Sequence, residues 1–238
     1  MKIQSIPSPN FNERPKDGEI DFLIIHYTAC DLDLSLQILT DATSAHPVSA
    51  HYLIDEEGSV YGLVPEEKRA WHAATDSSYW RGHQNINNRS IGVELVNPGH
   101  GPDYRDFSEP QMESLLKLSQ EIINRHPIQP SLVLGHSDVD PIRKSDPGER
   151  FNWHYLAENG IGIPPVKDVN FHDSQSVSIL DLQKALHEFG YKIPQDNKED
   201  LATRRAVQAF QMHYCPFLFN GGGDSQTLAC LNLLKQSI

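Results

Sequence analysis

The chain has 238 residues, 38% hydrophobic and 22% charged, with a net charge of −12. That length holds one sizeable α/β domain and a small second unit. The acidic balance excludes a partner gripped through a phosphate backbone, which needs clustered Lys and Arg, so no nucleic-acid partner is expected.

No run approaches the ~18 apolar residues of a membrane span. The opening MKIQSIPSPNFNERP lacks the apolar core of a secretory signal. The expected location is therefore the cytoplasm, or the periplasm or outer membrane if a leader has been removed. Residues 20–27 (IDFLIIHY) have the length and apolar content of a buried strand. Residues 33–41 read as helix, and 51–64 (HYLIDEEGSVYGLV) as a hairpin turning at Glu57-Gly58. SIGVELV (90–96) is a second buried strand. A helix is expected over 109–125, with Ser108 as N-cap, Pro110 in the first turn and Met112, Leu115, Leu118 and Ile122 at helical spacing. SLVLGH (131–136) reads as one more strand. Strands mixed with helices, partly hairpin-connected, predict an α/β domain with a mixed sheet over 1–163.

Residues 164–175 lose periodicity and read as a linker. Over 176–238 three helical stripes follow. Ile179, Leu182, Leu186 and Phe189 end at Gly190; Val207, Phe210 and Tyr214 follow a cap at Asp200; Leu228, Leu231 and Leu234 follow GGGD. These make a small three-helix domain, and no longer-period repeat is visible. Cys30, Cys215 and Cys230 form no Cys-x-x-Cys pair and read as free thiols.

Two histidines stand where rigid elements end. His26 closes the first buried strand and shares a face with Phe22 and Ile24, while His136 closes SLVLGH. Asp146 lies ten residues beyond His136, before a Pro147-Gly148 turn that could fold it back. Two imidazoles and a carboxylate suit a catalytic zinc ion with one position left for water. Spacing alone leaves a second reading equally open, in which each histidine is satisfied by packing or solvent. Glu94 lies mid-strand opposite Ile91, Val93 and Leu95. It is either a solvated edge residue or a general base raised by burial, with Gly92 on its face leaving space for a substrate.

The ordered motifs IIHYTA (24–29), SAHYLID (49–55), WHA (71–73), NINNRSIGVELVN (85–97) and GHSDVDPIRKSDPG (135–148) resemble the zinc N-acetylmuramoyl-L-alanine amidases. These share a fold with peptidoglycan recognition proteins. The resemblance implies a mixed central sheet flanked by helices and one Zn2+ held by His26, His136 and Asp146. It further implies Glu94 as the catalytic carboxylate and Lys144 as the oxyanion stabiliser. The substrate would be peptidoglycan or a muropeptide fragment, cut between the lactyl group of (anhydro-)N-acetylmuramic acid and L-alanine. The flat faces of His51, Trp71, His72 and Trp80 and the charge of Arg81 suit a groove for sugar and acidic stem peptide. LQKALHEFGY (182–191) with DLATRRAVQAFQ (200–211) resembles a peptidoglycan-binding module. A glycan-binding role and a bracing role both stand for it. A non-catalytic recognition protein is the rival reading, disfavoured because Glu94, Lys144 and Asp146 are all present. No His-Glu-x-x-His protease motif occurs.

Overall fold

In chain order the N-terminal part comprises β1 (Ile3–Ser5), β2 (Phe11–Glu13), β3 (Phe22–Tyr27), α1 (Leu32–Thr40), β4 (Tyr52–Ile54), β5 (Val60–Gly62), β6 (Lys68–Ala70), β7 (Tyr79–Trp80), β8 (His83–Gln84), β9 (Ser90–Leu95), α2 (Glu109–Arg125), β10 (Val133–Gly135), the single turn α3 (His136–Val139) and α4 (Trp153–Glu158). The C-terminal part is α5 (Ile179–Phe189), α6 (Leu201–Tyr214) and α7 (Ser225–Leu234). This computed structural model describes residues 1–16, 18–167 and 177–235; the stretch read as a linker lies, from residue 168 on, outside the described residues. Among them, no helix is long and apolar enough to cross a membrane.

Six strands form one mixed sheet in the order β1-β5-β4-β9-β3-β10. The pairs β3–β9, β3–β10, β4–β9 and β1–β5 are parallel, and the hairpin β4–β5 is antiparallel. β3 and β9 are interior strands, each paired on both sides, and Phe22–His26 and Ser90–Val93 are buried, as expected of parallel strands covered on both faces.

One face presents Leu23, Ile25, Ile91, Val93 and Leu95 to Met112, Leu115, Leu118 and Ile122 of α2 and to Trp153 and Leu156 of α4. Each of these side chains contributes roughly 1.5–3 kcal/mol by burial. α2 begins as its cap predicts, with the Ser108 hydroxyl accepting from the Gln111 amide. The other face presents Phe22, Ile24 and Leu134, and what covers them is the C-terminal unit: Leu182, Leu186, Phe189, Tyr191 and Phe210 belong to the same apolar cluster.

The strand expected over 131–136 is shorter. Pro130–Leu132 is a 3-10 turn, the strand ends at Gly135, and His136 opens α3. The reason is a cap: the Gly135 amide donates to Asp138 Oδ2 at 2.8 Å and turns the chain into a helix.

The C-terminal unit uses one device twice, a repeat invisible to hydrophobic patterning. Gln183 on α5 accepts from the Asn197 amide and donates to Lys198 O and to Thr203 Oγ1, whose own amide is capped by Asp200. Gln211 on α6 accepts from the Asn220 and Gly221 amides and donates to Gly222 O and to Thr227 Oγ1, capped in turn by Asp224. Each glutamine satisfies the loop that leads into the next helix.

Candidate metal centre

β3 and β9 are in register such that His26 and Glu94 are Cα partners. Residues paired across parallel strands share a face, so Ser90, Gly92 and Glu94 stand beside Phe22, Ile24 and His26. β10 lies on the other side of β3 with Gly135 opposite Ile25, which sets His136 next to His26. Asp146 returns to this point because its carbonyl accepts from the Ser137 amide at 2.9 Å. The missing side chain at Gly135 allows the approach, since a Cβ there would lie 2.7 Å from Pro147 Cδ.

Three buried atoms converge. His26 Nδ1 is 2.9 Å from His136 Nδ1 and 3.1 Å from Asp146 Oδ2, and His136 Nδ1 is 3.0 Å from the same oxygen. Among the described residues these three form the group of His, Cys, Asp and Glu side chains able to hold a metal ion. Burial first, and His136 second, lower the His26 pKa to about 4, so its imidazole is neutral near pH 7. Burial raises the Asp146 carboxyl, but the two imidazoles outweigh this and hold it well below the usual carboxylate range. Two imidazole nitrogens and a carboxylate oxygen converging at such distances form a donor set that suits a first-row metal ion.

Glu94 Oε1 is 4.0 Å from His26 Nδ1, with the side chain 13% exposed. Its Oε2 is buried without a hydrogen-bond partner among the described residues. Burial first, then the Asp146 charge, raise the Glu94 pKa well above the usual range, and the Lys144 charge opposes them. Lys144 is exposed at the rim, with no ion pair within 4.0 Å among the described residues.

His72 lies behind the cluster rather than only beside it. Its Nδ1 is 3.0 Å from His26 Nε2 and its Nε2 is 2.9 Å from Ser90 Oγ. Burial, then the neighbouring imidazoles, push its pKa well down, so it too is neutral. With the His26 Nδ1 lone pair turned to the cluster, one proton arrangement follows: His26 Nε2–H donates to His72, whose Nε2–H donates to Ser90. The space at Gly92 serves this contact and not a substrate, because a Cβ there would lie 2.4 Å from the His72 ring.

The cluster opens on two adjoining cavities of about 480 and 220 Å3, both lined by Val48, Trp71, His72, His136 and Lys144. One wing is polar, with Asn12, Arg69 and Arg143. The other is apolar, with Ile38 and Leu39 of α1. Of these five wing residues only Arg143 carries a sequence signal, since it adjoins Lys144 within GHSDVDPIRKSDPG. Trp71 stands half-buried on the groove wall, its indole N–H donating to Asn12 Oδ1.

Three residues expected in the groove are placed elsewhere. His51 is fully buried; it accepts from the Gly92 amide and its Nε2 faces Lys68 O, so it braces the sheet. Trp80 is 1% exposed and packs on Phe189 and Tyr191. Arg81 donates from Nε to Phe189 O. Trp80 and Arg81 were flat or charged enough for a ligand, but they meet the C-terminal helices instead.

Residues 16–149 match the family model described as "N-acetylmuramoyl-L-alanine amidase", and 175–231 match one described as "Putative peptidoglycan binding domain". The chain is 38% identical over 235 residues to N-acetylmuramoyl-L-alanine amidase AmiD of Escherichia coli, covering 91% of this chain and 83% of that protein. It is 34% identical to 1,6-anhydro-N-acetylmuramyl-L-alanine amidase AmpD of Enterobacter cloacae, covering 64% of this chain and 87% of AmpD. Among solved structures it resembles E. coli AmiD bound to anhydro-N-acetylmuramic acid-L-Ala-D-gamma-Glu-L-Lys, with a TM-score of 0.83 and 36% identity over 94% of this chain and 92% of that one. It also resembles AMPDH3 of Pseudomonas aeruginosa in complex with anhydromuramic pentapeptide, with a TM-score of 0.80 and 32% identity over 98% of each chain.

Proposed function

This chain belongs to the N-acetylmuramoyl-L-alanine amidase family, and from that premise we propose how its residues carry out the reaction. It hydrolyses the amide between the lactyl group of N-acetylmuramic acid and L-alanine of the stem peptide, in peptidoglycan degradation or recycling. Residues 1–163 form the catalytic part, 164–175 the connection and 176–238 the C-terminal unit, a division supported by the two family matches. The anhydro form of the sugar is an accepted substrate, a reading supported by the anhydromuramyl ligands of the similar structures.

His26, His136 and Asp146 hold one zinc ion. The observation that supports this is their convergence at 2.9–3.1 Å beside the Glu94 carboxylate, whose Oε2 has no hydrogen-bond partner among the described residues. Bound there, zinc supplies a Lewis acid that makes water nucleophilic near neutral pH and polarises the scissile carbonyl. Glu94, its proton affinity raised by burial, takes the proton released as water attacks and hands it to the departing alanine nitrogen. An amine leaves only when protonated, so this transfer decides whether the tetrahedral adduct goes forward. Lys144 places a cation at the rim, where negative charge grows on the carbonyl oxygen, and such preorganised charge is worth about 3 kcal/mol. The apolar wing of Ile38 and Val48 and the polar wing of Arg69 and Arg143 offer unlike walls, suited to a ligand with an apolar and an acidic part.

Mass spectrometry of products from purified sacculi, beside those from a defined anhydro-muropeptide, tests the bond that is cut and the substrate form. Glu94→Ala is expected to keep zinc and lose turnover, and Asp146→Ala to lose both. Normal turnover in Glu94→Ala would overturn the assigned mechanism, and a purified protein that binds no zinc would overturn the metal.

A further inference from the structure

α3 is a single turn of four residues, and His136 is its first. One turn has no helical stability of its own, because nucleation costs more than its few hydrogen bonds return. Its direction, and with it the aim of the His136 ring, depends on what holds it from outside. Asp138 is that anchor. Its carboxylate has 0% exposure and accepts three hydrogen bonds: from the Gly135 amide at 2.8 Å, from the Tyr191 hydroxyl at 2.6 Å and from His213 Nδ1 at 2.7 Å.

Only the first of these donors belongs to the catalytic part. Tyr191 follows α5 and His213 lies on α6. The same oxygen, Oδ2, receives both the Gly135 amide that starts α3 and the His213 proton from the C-terminal unit. His213 is clamped face to face between Trp153 at 3.7 Å and Tyr214 at 3.8 Å, and it is 2% exposed. Its Nε2 has no hydrogen-bond partner among the described residues. Among those residues the ring has one polar contact, the one between Nδ1 and Asp138. A buried carboxylate is tolerated only while its donors are in place. Without them Asp138 turns toward water and takes the start of α3 with it.

We infer that Tyr191 and His213 are positioning residues for the ligand His136, acting through Asp138, so that the C-terminal unit completes the metal centre in addition to anything it binds. This rests on the zinc reading above. It goes beyond bracing, because it predicts a defect at the metal that general loss of packing does not produce.

The test is zinc affinity of the full chain, by competition with a chromophoric chelator, together with the visible spectrum of the cobalt(II)-substituted protein. Tyr191→Phe and His213→Ala are compared with the parent and with Leu231→Ala, which removes buried C-terminal packing without touching Asp138. The expected result is a loss of zinc affinity on the order of tenfold in the first two, with shifted cobalt bands, and parental values in folded Leu231→Ala. His213→Asn, whose amide can still donate from the Nδ1 position, should recover much of the loss. Folded Tyr191→Phe and His213→Ala with parental affinity and spectra would overturn the inference and leave the metal reading intact. Leu231→Ala losing affinity equally would also overturn it. A parent that binds no zinc would overturn both.

Discussion

His72 decides which nitrogen His26 offers. A histidine with both nitrogens free can flip or exchange tautomers; here one nitrogen is held by His72, which is itself held by Ser90. The residue that permits this is Gly92, and it gives a sharp prediction. Gly92→Ala would place a methyl 2.4 Å from the His72 ring and displace it. Activity is expected to fall by about 10–100-fold, the usual cost of losing an outer hydrogen bond to a metal ligand. His72→Phe should show a similar deficit without the steric push. Parental kcat/KM in both variants would mean that His26 is oriented without His72. The sequence made the three cluster residues visible because each ends an element or adjoins a Pro-Gly turn. The outer contacts are not legible there, because nothing local says that His51 is buried against Gly92 and Lys68 or that His72, besides lining the groove, also meets His26.

At the scale of elements, legibility followed the reach of the contacts that define each one. α2 was readable to its cap, since Ser108 and the stripe of Met112, Leu115, Leu118 and Ile122 all lie within the segment. The strand expected over 131–136 overran into His136 and the turn of α3 went unread, because the Asp138 that turns the chain is held by residues 53 and 75 positions away. The paired glutamine device was missed for a related reason: Gln183 and Gln211 look like ordinary polar helix residues until the loops fold over them. Gln211→Ala would strip the Asn220 and Gly221 amides of their acceptor and the Thr227 hydroxyl of a donor. A loss of about 2 kcal/mol or more is expected, measured by urea denaturation. A change under about 0.5 kcal/mol, the range of neutral surface substitutions, would show that water replaces the side chain without cost.

For the whole molecule the clearest expectation is sensitivity to acid. Glu66 ties Tyr52 of β4 to Arg125 and His126 at the end of α2. Burial pushes its pKa up, but hydrogen bonds from Arg125, Tyr52 and His126 outweigh burial and bring it to about 2, from an ordinary 4.5. A carboxyl depressed in the fold contributes stability that is complete above the unfolded value and is lost as pH falls through the folded one. The buried His51 adds to this. Burial, then the Arg14 charge, lower it from 6.5 to about 3, so below 6.5 the unfolded chain takes up a proton that the fold refuses. Thermal stability is expected to decline from about pH 6.5 downward and to keep falling toward pH 2. Glu66→Gln should be less stable at neutral pH yet show a flatter decline below pH 4.5. A variant with the parental slope there would remove Glu66 from the explanation.

The site face of the sheet and the three C-terminal helices enclose a single interior, with Phe22, Ile24 and Leu134 in the same cluster as Leu186, Phe189 and Phe210. A unit that shares its interior with its neighbour is not a tether. Flexibly linked wall-binding modules work as leashes, raising local concentration while letting the enzyme graze over a range of positions. Here, any glycan strand held by the C-terminal helices would stand at one fixed offset and angle from the groove. The arrangement would then act as a ruler, selecting stem peptides by their spacing along the strand.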